Sequence, residues 1–188
     1  MILIGLGSNL ASNPDSNRGG QELSSPRQVL KAALKEMPTC GITVKQVSYF
    51  YESAPVPMSD QPWFVNGVAA VETALSPADL LEKLHEIEHD LGRKRHVRWE
   101  ARIIDLDIIA YDDQILPSLT LWAIKAKDLI PDEIVIPHPR MHDRLFVLKP
   151  LMDICPDWTH PVLGKTVESM IGQASQDEDQ SIRRMGIE

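Results

Sequence analysis

The order strand, helix, strand, strand, helix, strand over residues 1–111 predicts an α+β fold. The expected form is a ferredoxin-like βαββαβ antiparallel sheet with helices on one face plus C-terminal additions. Three observations predict it. Apolar or alternating runs at Met1–Leu6, Ile42–Glu52, Phe64–Thr73 and Ile103–Tyr111 have strand spacing. Ser25-Pro26 and Ser76-Pro77 each open a stretch with apolar residues at helical spacing. The stretches between them are rich in Gly, Pro, Ser and Asn, the residues of turns.

Met1–Leu6 reads as a buried strand running into the turn Gly7-Ser8-Asn9, and Ala11–Ser25 as a loop. Val29, Leu30, Ala33, Leu34 and Met37 mark the apolar face of the first helix. Ile42–Glu52 reads as one long strand, and Ser53–Pro62, with its prolines, as a loop leading to the returning strand Phe64–Thr73. Leu80, Leu81, Leu84, Ile87, Glu88 and Leu91 recur at helical spacing and mark the second helix, which Gly92 ends. After the strand Ile103–Tyr111, Ile115 and Leu116 extend a hairpin and Trp122–Leu129 forms a short helix. Leu145–Asp153 is helical and covers the sheet edge, and Ser175–Arg184 is a polar, frayed tail. Residues 1–161 are expected to form one domain, with 162–188 a partly frayed extension of it.

The chain has 188 residues, 43% hydrophobic and 24% charged, with net charge -8. That composition suits an ordinary globular domain able to bury its own core. The acidic balance argues against a nucleic-acid partner, and no apolar run reaches the roughly 18 residues of a membrane span. Cys40 and Cys155 show no metal-ligand spacing and read as reduced thiols. With no signal-like N-terminus, the expected location is cytoplasmic and the expected state a monomer or weak homodimer.

The chemistry concentrates in Arg98–Ile109. On a strand, Asp105 and Asp107 leave the sheet on one side, with Ile104, Leu106 and Ile108 on the other. Two such carboxylates repel and are costly to bury, so a cation belongs between them; a divalent ion with hard oxygen ligands is the natural candidate. A bare Asp-x-Asp is more often structural, paired to arginines or solvated. Here Arg93, Lys94, Arg95, His96, Arg98 and Arg102 precede it, a basic cluster in an acidic chain. Together they suggest a polyphosphate with its metal. Gly5-Leu6-Gly7-Ser8-Asn9-Leu10 matches only the first glycines of a dinucleotide fingerprint, and no GxxxxGK[ST] exists, so side chains must hold the phosphates.

Four blocks occur in order: Gly7-Ser8-Asn9-Leu10; Asp60-Gln61-Pro62-x-Phe64-x-Asn66; Gly92-Arg93-x-Arg95-x-x-Arg98-Trp99-x-x-Arg102-x-x-Asp105-Leu106-Asp107; and Pro137-His138-Pro139-x-Met141-x-x-Arg144-x-Phe146-Val147-Leu148. Over about residues 1–161 the chain resembles the 6-hydroxymethyl-7,8-dihydropterin pyrophosphokinases of folate synthesis. The resemblance implies pyrophosphate transfer from MgATP to the pterin hydroxymethyl group, releasing AMP. It implies that Asp105 and Asp107 hold two Mg²⁺ ions and that Arg93 and Arg102 act on the triphosphate as catalytic residues. It further implies nucleotide contacts from Glu88, Arg95, Arg98, Trp99, Ile108, His138 and Arg144. The pterin would meet Ser53, Ala54, Val56, Phe64, Asn66, Trp99 and Phe146, with Trp99 and Phe146 sandwiching the ring and Asn66 pairing with its edge. Read by themselves, Phe64 and Phe146 also fit core packing, and Glu88 an exposed helix charge. The basic stretch departs from the common pattern: it is a residue shorter, with His96-Val97 where some relatives carry a lysine. Glu133 likewise stands where some relatives have an arginine.

Two rival functions fit parts of the pattern. A non-catalytic ligand-binding module on the same fold would need no carboxylate pair. A metal-dependent phosphohydrolase would use the pair without an acceptor.

Overall fold

The computed structural model describes residues 1–12, 20, 22–56, 58–93, 102–128, 134–176 and 180–186. Among them the strands are β1 (Ile2–Ser8), β2 (Thr43–Val47), β3 (Tyr51–Ser53), β4 (Phe64–Glu72), β5 (Asp105–Tyr111) and β6 (Ile182–Arg184). The α-helices are α1 (Pro26–Glu36), α2 (Pro77–Asp90), α3 (Leu119–Asp128), α4 (Leu145–Ile154) and α5 (Val167–Ala174). The strands form one six-stranded sheet of order β5-β1-β4-β3-β6, with β2 also on β4. The pairings are antiparallel.

Both Ser-Pro pairs start helices as expected. The Ser25 hydroxyl accepts from the Gln28 N–H at 3.3 Å, and the Ser76 hydroxyl from the Asp79 N–H at 3.2 Å. Gly92, at φ 98°, closes the end of α2 in the left-handed region that a side chain would resist.

The sheet has a core on each face. Ile2, Ile4 and Leu6, with Leu106 and Ile108, pack under Val29, Leu30 and Ala33 of α1 and Leu80, Leu84 and Ile87 of α2. The other face carries Leu3, Val68, Ile109 and Ala110 against Leu148 and Leu151 of α4 and Val167 and Met170 of α5. The alternation in β5 is interrupted by a bulge opposite Leu3 and Ile4, so Ile109 and Ala110 both join the second core.

Several expectations are corrected. Ile42–Glu52 is two strands. At Ser48–Phe50 the chain leaves the ladder; the Ser48 hydroxyl accepts from the Val68 N–H at 3.0 Å, and the Phe50 ring turns into the core over Gly67. A Cβ on Gly67 would lie 2.9 Å from that ring, so the glycine makes the room. Helix α4 covers the second sheet face rather than the edge. The edge is occupied by β6, paired with β3, within a segment expected to fray. Leu116 meets Ile136 in an isolated bridge, and α3 begins earlier than the apolar spacing suggested. Its Trp122 is 3% exposed and donates its indole N–H to Pro137 O at 2.6 Å.

Candidate active site

The strand register places the site. Across three neighbouring strands Asn66 of β4, Gly7 of β1 and Asp105 of β5 lie in one row; Val68, Gly5 and Asp107 lie in another. These residues face away from α1 and α2. Because β1 carries glycine between the amide and the carboxylate, the rows form a trough open down to the backbone. A Cβ on Gly7 would sit 3.5 Å from Asn66 Oδ1 and 3.8 Å from Asp105 Cβ, and so would fill the trough. The two glycines of the incomplete fingerprint are therefore the floor of a cavity and not a phosphate-binding turn.

The cavity encloses about 230 Å³. Ser53, Ala54, Val56 and Phe64 line one part of it, Arg102, Asp105 and Asp107 another, and His138, Arg144 and Phe146 a third. The structure thus brings together residues from all four sequence blocks. Asn66 is 5% exposed and donates its amide to Ser53 Oγ at 2.9 Å. That bond fixes the amide, which leaves its oxygen on the Gly7 side of the trough.

Around the carboxylates the charges are tightly matched. Arg93 Nη1 lies 2.7 Å from Asp105 Oδ1, and the same guanidinium pairs with Glu88. Arg102 pairs with the second Asp105 oxygen. Even so, burial and the neighbouring Asp107 charge push the Asp105 carboxyl up from its ordinary range. A charge disfavoured in this way, beside a second carboxylate on the same face, suits a hard divalent cation such as Mg²⁺. Burial and the neighbouring Arg144 lower His138 to about 4, so it is neutral at physiological pH. Its Nδ1 accepts from the Arg140 N–H at 3.2 Å, which leaves Nε2 as the N–H donor. Arg144 also lines the cavity, its guanidinium 5.5 Å from the centre of the Phe146 ring.

Two named residues sit elsewhere than the sequence suggested. Glu88 is not an exposed helix charge: it is 1% exposed, below the sheet, accepting from the Leu106 N–H at 2.7 Å. Its described link to the site is the ion pair with Arg93. The Ile108 side chain lies in the core under α1 and α2, on the face opposite Asp105 and Asp107. Arg95, Arg98 and Trp99, with Lys94, His96 and Glu133, lie outside the described residues.

Sequence reasoning missed the role of Asn9. This residue, 2% exposed, accepts from the Arg102 N–H at 2.7 Å and donates to Gln61 Oε1 at 3.2 Å and Pro62 O at 3.3 Å. It joins two walls of the cavity. The signal was its place in the Gly7-Ser8-Asn9-Leu10 block, which carried no assigned chemistry.

The family model of 7,8-dihydro-6-hydroxymethylpterin-pyrophosphokinase (HPPK) matches residues 3–156. The chain belongs to the HPPK family. Among curated relatives, the 2-amino-4-hydroxy-6-hydroxymethyldihydropteridine pyrophosphokinase of Haemophilus influenzae is 39% identical over 143 residues, 76% of this chain and 81% of that protein. The protein of the same name from Pseudomonas aeruginosa is 41% identical over 145 residues, 76% of this chain and 80% of its own. The folic acid synthesis protein fol1 of Pneumocystis carinii is 39% identical over 150 residues, but the chain spans only 18% of its length. Among solved structures, wild-type Plasmodium falciparum HPPK-DHPS with STZ-DHP shares the fold at TM-score 0.66 and 16% identity, covering 99% of this chain and 46% of that one. The HPPK match includes the carboxylate pair, both glycines of the trough and the wall at 144–147; it ends before α5 and β6.

Proposed function

We propose that this chain transfers a pyrophosphoryl group from MgATP to the hydroxymethyl group of 6-hydroxymethyl-7,8-dihydropterin, releasing AMP. The observation that carries the reading is the row Asn66–Gly7–Asp105, which sets a buried amide and a carboxylate in one trough. Names of the relatives and the family support the choice of substrates.

In this reading Asn66 pairs with the polar edge of the pterin and Phe146 stacks on one ring face, with Trp99 on the other. Ser53 holds the Asn66 amide in place, while Ala54, Val56 and Phe64 shape the wall. Asp105 and Asp107 hold the magnesium, two ions in our reading. When bound, Mg²⁺ supplies charge neutralisation on the phosphates and lowers the pKa of the attacking hydroxyl. Arg93 and Arg102 exchange Asp105 for the triphosphate oxygens, and Arg144 and the His138 N–H add donors beside them. We assign Arg95 and Arg98 to nucleotide binding as well, on the family resemblance. The hydroxymethyl oxygen forms its bond to the β-phosphorus as the bond from that phosphorus to the α–β bridging oxygen breaks. AMP leaves with that oxygen, and the hydroxyl proton passes to Asp107 or to water. We assign Glu88 to holding Arg93, and Ile108 to the sheet beneath.

We further read the sheet as the ferredoxin-like βαββαβ arrangement. Residues 1–161 are the catalytic domain and 162–188 an extension packed on it, the whole acting in the cytoplasm as a monomer or weak homodimer. The test is direct. The protein is incubated with MgATP and the hydroxymethyl dihydropterin, and the nucleotide product is identified. AMP with pterin diphosphate is expected. ADP, inorganic phosphate without a pterin product, or pterin binding without turnover would each overturn the proposal.

A further inference from the structure

The segment after α5 reaches back to the cavity in two directions. On one side, β6 pairs with β3 so that Ile182 lies opposite Ser53, Arg183 opposite Glu52 and Arg184 opposite Tyr51. Directly before it, Ser181 O accepts from the Ala54 N–H at 3.0 Å. Ser53 and Ala54 are part of the cavity wall. Arg183 adds a bond from Nε to Glu52 Oε2 at 2.6 Å and lies 5.1 Å over the Trp63 ring, beside Phe64.

On the other side stands Gln180. Its side-chain oxygen accepts from the Leu145 N–H at 2.7 Å, and its side-chain nitrogen donates to Asp143 O at 2.8 Å. Those groups flank Arg144 at the start of α4, where the Arg144 side chain makes no capping bond. The Leu145 N–H is one of the donors that a helix start leaves without an intrahelical partner. Gln180 supplies the missing acceptor and fixes the backbone that presents Arg144, Phe146 and Val147 to the cavity.

We propose that residues 180–184 form a strap that sets the spacing of the acceptor pocket, with Gln180 as its positioning residue. The inference rests on the pyrophosphokinase reading of the cavity. It concerns residues beyond the family match, which ends at 156. The described strap bonds run to the Ser53–Ala54 wall, on the pterin side, and to the Asp143–Leu145 turn, which presents Phe146 to the pterin and Arg144 to the triphosphate. Asp105 and Asp107 are held from β1 instead, through the register of β5. Loosening the strap therefore acts mostly on acceptor binding, where both walls depend on it, in ground state and transition state alike, which raises the acceptor KM and leaves kcat in place.

The test is Gln180→Met in the full chain, a change of similar length that removes the bonds to Leu145 and Asp143. Loss of these two neutral hydrogen bonds predicts an acceptor KM raised about tenfold, with kcat within about twofold and the KM for MgATP, which depends on the turn through Arg144 alone, raised by no more than about threefold. Amide hydrogen exchange read by mass spectrometry is expected to quicken at residues 51–54 and 144–148 and to stay unchanged in β1 and β5. An unchanged acceptor KM, an equal rise in both KM values, or faster exchange throughout the molecule would overturn the strap. If the wild-type protein forms no AMP with the pterin, the functional reading has failed. The exchange pattern then decides the strap by itself: quickening confined to the two walls supports it, and no quickening there overturns it.

Discussion

Replacing Glu88 by glutamine should stabilise the ligand-free protein at alkaline pH and leave it nearly unchanged in mild acid. Burial is the main cause that raises the Glu88 carboxyl from 4.5 to about 7; Arg93 beside it opposes the rise without cancelling it. The charged form is thus the costly one despite its ion pair, as is common for charges taken out of water. Between pH 4.5 and about 7 the folded protein keeps a proton on Glu88 that the unfolded chain has lost. Stability therefore falls as pH rises through that window, and the full penalty stands above it. Its size is roughly 3 kcal/mol at 1.36 kcal/mol per pH unit. E88Q mimics the protonated acid: its amide oxygen can still accept from the Leu106 N–H, and Arg93 keeps Asp105 at 2.7 Å. Urea unfolding with EDTA and no nucleotide, from about pH 5 to about pH 8, measures the difference between variant and wild type. That difference should move in favour of E88Q by roughly 2–3 kcal/mol across the range. A constant difference, or one that moves the other way, would refute the reasoning. Glu88→Ala is the control for shape: it orphans the buried Leu106 N–H and should cost about 1–3 kcal/mol in mild acid, where the wild-type side chain is protonated.

Four other outcomes are expected. Asp107→Asn should lower turnover at least about a hundredfold with the fold intact, and EDTA should abolish wild-type turnover until Mg²⁺ is restored, both read from AMP release. Asn66→Ala should raise the acceptor KM by roughly tenfold to a hundredfold, since a pocket amide facing a polar ring edge is lost; steady-state kinetics at saturating MgATP checks it. Gly67→Ala should destabilise the protein by about 1–3 kcal/mol in urea unfolding, because its Cβ would meet the buried Phe50 ring. His160 is 0% exposed, and burial first, then His142, lowers it to about 4. It should cost stability as pH falls from 6.5 towards 4, and His160→Asn should make that loss shallower in the same unfolding assay.

Much of this architecture was legible in the chain because local rules and tertiary demands agree. Ser25-Pro26 and Ser76-Pro77 start helices where they should, since a serine cap and a proline at the first position act within one turn. Asp105 and Asp107 share a face because strand alternation requires it. Long-range compensation is where the reading fell short. Phe50 breaks the Ile42–Glu52 alternation by turning over Gly67, a residue seventeen positions away that supplies space and no pattern. Arg183 and Arg184 look like a charged tail, yet β3 offers an unpaired edge and the rings of Trp63 and Tyr49 cover both guanidiniums. Glu88 recurs at the spacing of the apolar face, four residues after Leu84, while its charge suggests a helix surface. The fold follows the spacing, because Arg93 and the Leu106 N–H wait there as partners for the carboxylate.

The titrating groups also explain why unfolding of the wild type alone would say little about Glu88. His138 and His160, each lowered from 6.5 to about 4, make stability rise with pH between those values. Glu88 makes it fall between 4.5 and about 7. Where the windows overlap, two histidines oppose one carboxylate, so these groups together leave a net rise of about 1.4 kcal/mol per pH unit. Above 6.5 the histidines have finished and Glu88 acts alone, so these three groups place the stability maximum near pH 6.5. E88Q should remove the descent above that maximum and steepen the ascent below it. An E88Q curve that still descends between pH 6.5 and 7 would assign the penalty to another group, with Asp105 next in line because burial and Asp107 raise it as well.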